Sequence, residues 1–431
     1  MKKPAILLLL ASCAPCRAQS QKLTLDEAVK TALKQHPSLR RLDSLTQAAR
    51  ARATAAKSGA LPFVDFGASA TTGPSGSPAM GLRGLAGTPL KSHYGGSVNV
   101  TQLLYDFGKV KHGAHRAEAL VEASSQRTQT QRAWIVLKTK EAYYNTLLAQ
   151  RLVVVADATV RVREQTVRQA QAHLDAGLRS RVDLRLAELE LTKAQARLSE
   201  SRNALAAAFA DLRYALGEEE RRSYELETSP TTPLPTGEGI ELSQSIAISL
   251  KQRPELHEHS SQLRAARESV EVARSQKRPD LIGVTSLGRV NPPGFLNTSK
   301  QRDPYALGLA VSVPLFTGRR IESEVREARA NLEAVEAAGA ELAQGIRLQV
   351  TRAHLNLQTQ RVNVRAAEQQ VKTAEDALAL ATTRYQNNLS DIVELTQSQL
   401  AHTEALTAQA TASFNVKIAE AALRYAIGAE T

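Results

Sequence analysis

An internal repeat constrains this sequence more than any other feature, because a duplicated chain must build the same structural unit twice. Pro37 in KQHPSLR matches Pro254 in KQRPELH at an offset of 217 residues. Near the end of each copy, RYALG at residues 213–217 matches RYAIG at residues 424–428, at an offset of 211. The second copy is therefore six residues shorter, and exposed loops are the segments that tolerate such changes.

The repeat divides the chain into four segments. Residues 1–18 are typical of an export signal, 19–220 form the first repeat, 221–240 are a Pro/Thr/Gly-rich linker, and 241–431 form the second repeat. In each repeat a proline ends a short opening helix, because proline disfavours helix at the residue before it. Both copies then predict a second helix, two strands around a polar loop, a very long helix and a final helix.

Each repeat contributes two predicted strands, at about residues 62–72 and 95–105 in the first copy and at about 280–288 and 305–316 in the second. In the fourth strand large apolar residues alternate with small ones, at the period of two that indicates two different faces. A tilted strand of about 11 residues can cross a bilayer, but open sheet edges are excluded in lipid. If the strands lie in a membrane, several chains must each contribute four, and three chains would supply twelve strands; a small soluble sheet is the alternative.

The helices have the heptad pattern of coiled coils. In the first copy a leucine recurs at every seventh position, with a small residue three positions after each. The leucines are Leu184, Leu191, Leu198, Leu205 and Leu212, and the small residues are Ala187, Ala194, Ser201, Ala208 and Ala215. The second copy keeps the small layer at Ser398, Ala405, Ala412, Ala419 and Ala426. This pattern predicts helices that pack closely along their length.

The first residues predict export, because two lysines precede the apolar residues 6–11 and small residues follow. Two processing sites are open. Cleavage after Ala18 would remove both cysteines of the chain, whereas a lipobox would leave Cys13 as a lipidated N-terminus. A third interpretation treats the segment as the first helix of a cytosolic protein.

The remaining composition argues against several classes of function. The formal net charge is +12, but the basic residues are dispersed among acidic ones, so we expect no nucleic-acid partner. The pairs His112/His115 and His257/His259 lack the HExxH spacing of a metalloprotease and are interpreted as exposed helix histidines. The sequence contains no P-loop and no GxGxxG after a strand. We therefore expect neither an enzyme nor a cofactor, and transport energy would come from another protein.

Short motifs, repeated in the same order in both copies, resemble the TolC-like family of outer-membrane efflux proteins. They are the openings LTLDEAVKTALKQHPSL and ELSQSIAISLKQRPEL, the strand-to-helix junctions TQLLYDFGK and SVPLFTGRR, the turns DAGLRSRVDL and YQNNLSDIVEL, and the closing RYALG and RYAIG. The resemblance implies a mainly α fold with a small membrane β part. Three chains would build a long α-helical coiled-coil barrel in the periplasm and a twelve-stranded β-barrel in the outer membrane, with four strands per chain.

The resemblance also implies a passive outer-membrane conduit of a tripartite efflux or type I secretion system. Its implied partners are two further copies of the chain, a periplasmic adaptor protein, an inner-membrane RND or ABC transporter, and outer-membrane lipid. One alternative function is a periplasmic coiled-coil adaptor or structural protein of an efflux complex. Adaptors have a single helical hairpin between β-rich modules, however, and the two full copies found here argue against that alternative.

In this family the periplasmic mouth is narrowed at the turn between the long and final helices. The family pattern of a tyrosine, a glycine three residues later and a carboxylate nine residues later falls on Tyr385, Asn388 and Glu394. The first-copy pattern of a glycine followed six residues later by an aspartate falls on Gly177 and Asp183. The resemblance therefore implies that Tyr385, Glu394 and Asp183 form the constriction.

The chain departs from the family pattern at two positions near this turn. Gln397 stands where some members have a second carboxylate, and Ser390 replaces a basic residue. We therefore expect a constriction that is less acidic and is held closed by different contacts. Three nearby arginines are a local addition, for which surface solvation is the alternative: Arg179, Arg181 and Arg185. For the two carboxylates, the alternative is that each stabilises the start of the final helix.

Overall fold

The structure, a computed structural model, describes most of both repeats. The described residues are 21–72, 92–218, 224–227, 241–291 and 305–429. The predicted signal peptide, the candidate lipidation site Cys13 and most of the predicted linker lie outside them. The chain forms two compact units, each built from both repeats. Unit 1 spans Met1–Leu39, Arg132–Ile246 and Gln349–Thr431, and unit 2 spans Arg40–Gln131 and Ala247–Leu348.

The elements follow the same order in both copies. The first copy contains β1 (Gln21–Leu23), α1 (Leu25–Gln35), α2 (Pro37–Ser58), β2 (Phe63–Thr72), β3 (Ser92–Tyr105), α3 (Lys109–Asp175) and α4 (Arg181–Leu216). The second copy contains β4 (Tyr224–Leu226), α5 (Leu242–Gln252), α6 (Pro254–Ser275), β5 (Asp280–Asn291), β6 (Tyr305–Ser312), α7 (Arg320–Gln386) and α8 (Ile392–Ile427).

The lengths of the helices confirm that the duplication is structural. Equivalent helices have the same number of residues in both copies: 11 in α1 and α5, 22 in α2 and α6, 67 in α3 and α7, and 36 in α4 and α8. A helix of 67 residues is about 100 Å long at the usual rise per residue. Within the described ranges, no helix has a stretch long and apolar enough to cross a membrane.

The predicted heptad layers are confirmed in both copies. In α4 the buried positions include Leu184, Ala187, Ala194, Leu198, Leu212 and Ala215. In α8 they include Ala405, Ala412, Ala419 and Ala426. The small side chains of the second layer let neighbouring helix backbones approach closely, which is the packing that the sequence pattern predicts.

The core of unit 1 surrounds a short parallel pair formed by β1 and β4. Tyr143 of α3 lies beneath this pair, with its hydroxyl 2.8 Å from the carbonyl oxygen of Leu23 and 2.6 Å from that of Glu227. Its single proton is therefore shared between two strand ends. Burial raises the pKa of Tyr143 to about 12, so the hydroxyl remains a donor at neutral pH. The contact connects the start of each repeat to the same long helix.

The end of α4 requires a glycine, as the sequence predicts. Gly217 has a φ of +73° and ends the helix in the left-handed conformation. A Cβ at this position would lie 2.8 Å from the Cα atom of His36, at the junction of α1 and α2. Both the backbone conformation and this close approach exclude a side chain. Gly428 ends α8 in the same conformation, with a φ of +81°.

Unit 2 contains an antiparallel four-stranded sheet. The strand order is β2-β3-β5-β6, so the hairpin from the first copy pairs with the hairpin from the second. Strands β2 and β6 are its two edges. Strand β6 ends at Ser312, before the predicted end at residue 316, because Pro314 has no amide proton for the ladder.

The centre of one face of this sheet is polar and buried. Asp65, Asn99 and Ser286 are in register on three neighbouring strands. The Asn99 amide donates to Asp65 Oδ2 over 3.0 Å, and its oxygen accepts from the hydroxyls of Ser286, at 2.8 Å, and Ser97, at 3.3 Å. Ser97 and Asn99 are only 2% and 6% exposed. A hydrogen-bonded polar cluster therefore occupies the position where a soluble sheet would bury apolar side chains.

The opposite face of the sheet is apolar and exposed. Residues that alternate with polar ones near the centre of β2, β3 and β5, and with small ones along β6, lie on it: Val64, Phe66, Val98, Leu287, Tyr305, Leu307, Leu309 and Val311. Their exposed fractions run from 40% for Val98 to 81% for Leu307. The sheet is thus inverted relative to that of a water-soluble protein, with its polar groups inside and its apolar groups outside.

Candidate functional site

Two equivalent turns join the long helices to the final helices in unit 1. In the first copy, Gly177 has a φ of +70° and the amide of Leu178 donates to the carbonyl of His173 over 2.9 Å. In the second copy, Asn388 has a φ of +57° and the amide of Leu389 donates to the carbonyl of Arg384 over 2.8 Å. Asparagine is the residue other than glycine that most readily takes this conformation at a helix end, so Asn388 preserves the turn.

The starts of the two final helices differ. In α8 the side chain of Asp391 is the N-cap and accepts from the amide of Glu394 over 2.9 Å. In α4 the N-cap residue Ser180 makes no capping bond through its side chain, and its hydroxyl lies 3.4 Å from Asp183 Oδ1. Glu394 and Asp183 both lie in the first helical turn, where a negative charge is favourable. Neither of them is the N-cap itself.

Tyr385 is the buried centre of the second turn. It is 1% exposed and packs with Ile392 and Leu395 of α8. Leu186 of α4 and Leu378 of α7 lie against this cluster. The buried cluster around Tyr385 therefore contains residues of both helical hairpins, the α3–α4 pair of the first copy and the α7–α8 pair of the second.

Arg179 connects the two turns. Its guanidinium donates to the carbonyl of Ser390 and lies over the ring of Tyr385, 5.4 Å from the ring centroid. His173 meets the same ring edge-on, at a centroid distance of 5.6 Å. A charged hydrogen bond and a cation–π contact thus bind one hairpin to the other. Arg179 is therefore not simply a solvated surface residue, whereas Arg185 pairs with Glu188 of its own helix at 2.7 Å.

The hydroxyl of Tyr385 is buried without a hydrogen-bond partner among the described residues. Burial is the main cause that raises the pKa of Tyr385, and the negative charge of Asp183 raises it further, while Arg179 opposes the shift. The Tyr385 hydroxyl therefore stays protonated and neutral at physiological pH.

Glu394 points away from this cluster. Its Oε1 lies 3.1 Å from Nε of Arg384, in the same hairpin, and its side chain is 41% exposed. The structure therefore does not bring the three predicted site residues into one cluster. Tyr385 lies in the buried cluster, the charge of Asp183 raises the pKa of Tyr385, and Glu394 forms an exposed ion pair with Arg384.

A second polar layer joins the two copies further along the helices. Arg163 of α3, 3% exposed, donates to Gln399 of α8, and its other terminal nitrogen lies 3.9 Å from Glu190 of α4. Gln399 in turn donates to the hydroxyl of Thr166 over 2.9 Å. Burial lowers the pKa of Arg163. A cleft of about 420 Å³ adjoins this layer. Beside it, the two copies are joined by the buried polar contacts of Arg163 and Gln399.

Tyr143 and Tyr385 in unit 1 are each 1% exposed. The same substitution at both positions therefore compares a bonded buried hydroxyl with an unbonded one. Tyr143→Phe leaves two buried carbonyls without their donor, and we expect a loss of about 1–2 kcal/mol in the free energy of unfolding. Tyr385→Phe removes a hydroxyl that has no partner, and we expect no loss or a gain of up to about 1 kcal/mol. Thermal unfolding followed by circular dichroism measures both, with the 80%-exposed Tyr214→Phe as the control.

The pH dependence of stability gives a second readout for both tyrosines, because burial raises the pKa of each. A folded-state pKa of Tyr385 above about 10, the value for an unfolded tyrosine, means that the unfolded chain loses its proton first. Stability is therefore complete below about pH 10 and falls as the pH rises above it. Tyr385→Phe should flatten this alkaline decline. An equal loss of stability in the two variants at pH 8, with unchanged alkaline slopes, would contradict the contacts described.

Known proteins resemble this chain along most of its length. The family model described as outer membrane efflux protein matches residues 28–218 and 246–429. Nodulation protein T of Rhizobium leguminosarum bv. trifolii is 22% identical over 380 residues, which are 84% of this chain and 76% of that protein. Outer membrane protein TolC of Salmonella enteritidis is 23% identical, with 99% of this chain and 86% of that protein covered.

Solved structures show the same fold. The outer membrane protein VceC of Vibrio cholerae superimposes with a TM-score of 0.79 at 20% identity, over 94% of this chain and 96% of that one. The matched family consists of channel proteins, which confirms the prediction that the chain is a conduit and not an enzyme. Because the family model covers most of both repeats, the chain belongs to the outer membrane efflux protein family.

Proposed function

We propose that this chain is the passive outer-membrane conduit of a tripartite efflux or type I secretion system. Three copies would each contribute four strands to a twelve-stranded barrel in the outer membrane and their long helices to a tunnel in the periplasm. A periplasmic adaptor and an inner-membrane RND or ABC transporter would supply the substrate and the energy. The leader of residues 1–18, or alternatively a lipid on Cys13, would direct the chain to the membrane.

The inverted sheet of unit 2 is the observation that carries this proposal. Strands that cross a bilayer as part of a channel alternate apolar residues facing lipid with polar residues facing the lumen. The sheet has this alternation, with Leu307 81% exposed on one face and Asn99 6% exposed on the other. Two exposed aromatic residues, Tyr105 at the end of β3 and Phe316 beyond the end of β6, would suit the aromatic girdle that channel proteins carry.

The edges of the sheet support an assembly of several copies. Strands β2 and β6 each have one side of their backbone without a strand partner among the described residues, and hydrocarbon offers nothing to pair with it. Because the four strands alternate in direction, β6 of one copy runs antiparallel to β2 of an adjacent copy. Pairing these two edges extends the antiparallel ladder without a break until the barrel closes.

The alternative function, a periplasmic adaptor or structural coiled coil, fits the sheet poorly. In water its apolar face would expose eight large side chains on one continuous surface, far more than the scattered apolar residues of a soluble protein. Lipid removes this cost, and the polar face then lines an aqueous interior.

We further propose that the two hairpin turns narrow the periplasmic mouth. Arg179 holds the hairpins together through Ser390 and Tyr385, and Asp183 interacts electrostatically with Tyr385. Glu394 is exposed enough to meet ions in a lumen. This gives different roles to residues that the family resemblance grouped together.

Crosslinking of the two edge strands tests the assembly. Within one chain, β2 and β6 are three strand spacings apart, about 14 Å. We therefore expect a Phe66→Cys/Leu307→Cys double variant in outer-membrane fractions to be joined only between copies by a reagent shorter than that span. The products should end at a trimer on denaturing gels.

The matched controls carry each cysteine alone and should give no trimer. A double variant that stays monomeric in membranes, or products that extend well beyond three copies, would contradict a closed trimeric barrel. Recovery of the chain as a soluble monomer would contradict the membrane location itself.

Single-channel conductance in planar bilayers tests the constriction. Arg179→Ala removes a charged hydrogen bond and a cation–π contact, which costs the arrangement seen here about 2 kcal/mol. We expect a larger mean conductance in this variant. Arg185→Ala, whose side chain is bonded within its own helix, should behave like the wild type.

Glu394→Ala should weaken block by multivalent cations, and unchanged block would remove Glu394 from the constriction.

A further inference from the structure

Two histidines and a glutamate converge in unit 2, well away from the hairpin turns in the sequence. His112 and His115 lie one turn apart on α3, and Glu268 lies on α6. Nδ1 of His112 is 2.7 Å from Oε2 of Glu268, and Nδ1 of His115 is 3.9 Å from Oε1. The two imidazoles thus lie against the same carboxylate, each near a different oxygen atom.

The separations match those of a metal-ligand set. One ligand atom from each residue can be chosen so that all three lie within 4.8 Å of one another. Ligands of a tetrahedral zinc ion, with bonds of about 2.0–2.1 Å, are about 3.3 Å apart. The observed distances of 2.7 Å and 3.9 Å lie on either side of this value. The two separations therefore bracket the ligand spacing that a zinc ion requires.

The surroundings leave the three groups available to an ion. The side chains of His112, His115 and Glu268 are 31%, 46% and 28% exposed, and the last two line an open cleft of about 680 Å³. The nearby arginines are engaged elsewhere, since Arg267 is 3.7 Å from Glu336 and Arg264 donates to Ser261 over 3.0 Å. Neither needs Glu268 as its counter-ion.

The position of the His112 ring is also fixed. A Cβ on Gly108 would lie 3.2 Å and 3.3 Å from Cδ2 and Nε2 of this ring, so the ring packs directly against the glycine turn that begins α3. The outer edge of the imidazole faces the backbone, and Nδ1 is directed at the glutamate. This arrangement presents one defined nitrogen to the site.

We propose that His112, His115 and Glu268 bind a divalent transition-metal ion of the zinc class. Two imidazoles and one carboxylate are a ligand set that suits zinc, nickel or copper and is a poor one for magnesium or calcium, which prefer oxygen ligands alone. Water completes the coordination at this exposed site. The ion links α3 to α6 and so braces the helices at the base of the sheet-bearing unit. The site does not depend on the channel function.

Isothermal titration of the tag-free, chelator-treated full chain with zinc tests the site. We expect one saturable site per chain with at least micromolar affinity, and no comparable binding of magnesium. His115→Ala and Glu268→Gln should each weaken zinc binding by more than about tenfold, since even outer-shell partners of a metal often account for that much. His257→Ala removes an exposed histidine of α6 outside the cluster and should leave the affinity unchanged.

Thermal unfolding gives a second readout that does not depend on heat of binding. Zinc should raise the unfolding midpoint of the wild type and of His257→Ala but not that of Glu268→Gln. Glu268→Gln keeps the size of the side chain, so its metal-free midpoint should match the wild type. Absence of zinc binding in the wild type, or equal affinity in the wild type, His115→Ala and Glu268→Gln, would overturn the proposal.

Discussion

The backbone hydrogen bonds of the two edge strands are the constraint on which the rest of the structure depends. In the part of the chain that the structure describes, β2 and β6 have no strand partner on one side, and the sheet exposes its apolar face while it buries Ser97, Asn99 and Ser286. Water would penalise the apolar face and hydrocarbon would penalise the open edges. Only a closed sheet in a bilayer satisfies both, which requires further copies of the chain.

The duplication follows from the same constraint. Each repeat supplies one hairpin, and the order β2-β3-β5-β6 alternates direction across the repeat boundary, so identical units can continue the ladder. Each hairpin leads into a helix of 67 residues and then one of 36 residues. The equal lengths place the α3–α4 turn and the α7–α8 turn at equivalent positions within unit 1. There the contact of Arg179 with Tyr385 connects the two helix pairs.

The sequence predicts the elements better than it predicts the site. Period-two alternation, heptad spacing and the glycines at 217 and 428 are local signals, and they give the strands, the helix layers and the helix ends. The contacts of Arg179 with Ser390 and of His112 with Glu268 join residues 211 and 156 positions apart, so no local pattern contains them. The family pattern grouped Glu394 with Tyr385, and the ion pair of Glu394 with Arg384 is a contact that this pattern does not contain.

The most direct test of the inverted, membrane-inserted sheet is a scan of single spin-labelled cysteines along β6, from Tyr305 to Val311, in the chain reconstituted in liposomes. The relaxation of each label by oxygen, which concentrates in lipid, is compared with that by a water-soluble nickel complex. The account predicts a period of two: oxygen dominates at Tyr305, Leu307, Leu309 and Val311, and nickel at Ala306, Gly308 and Ala310. Labels that are all equally accessible to the nickel complex would contradict it.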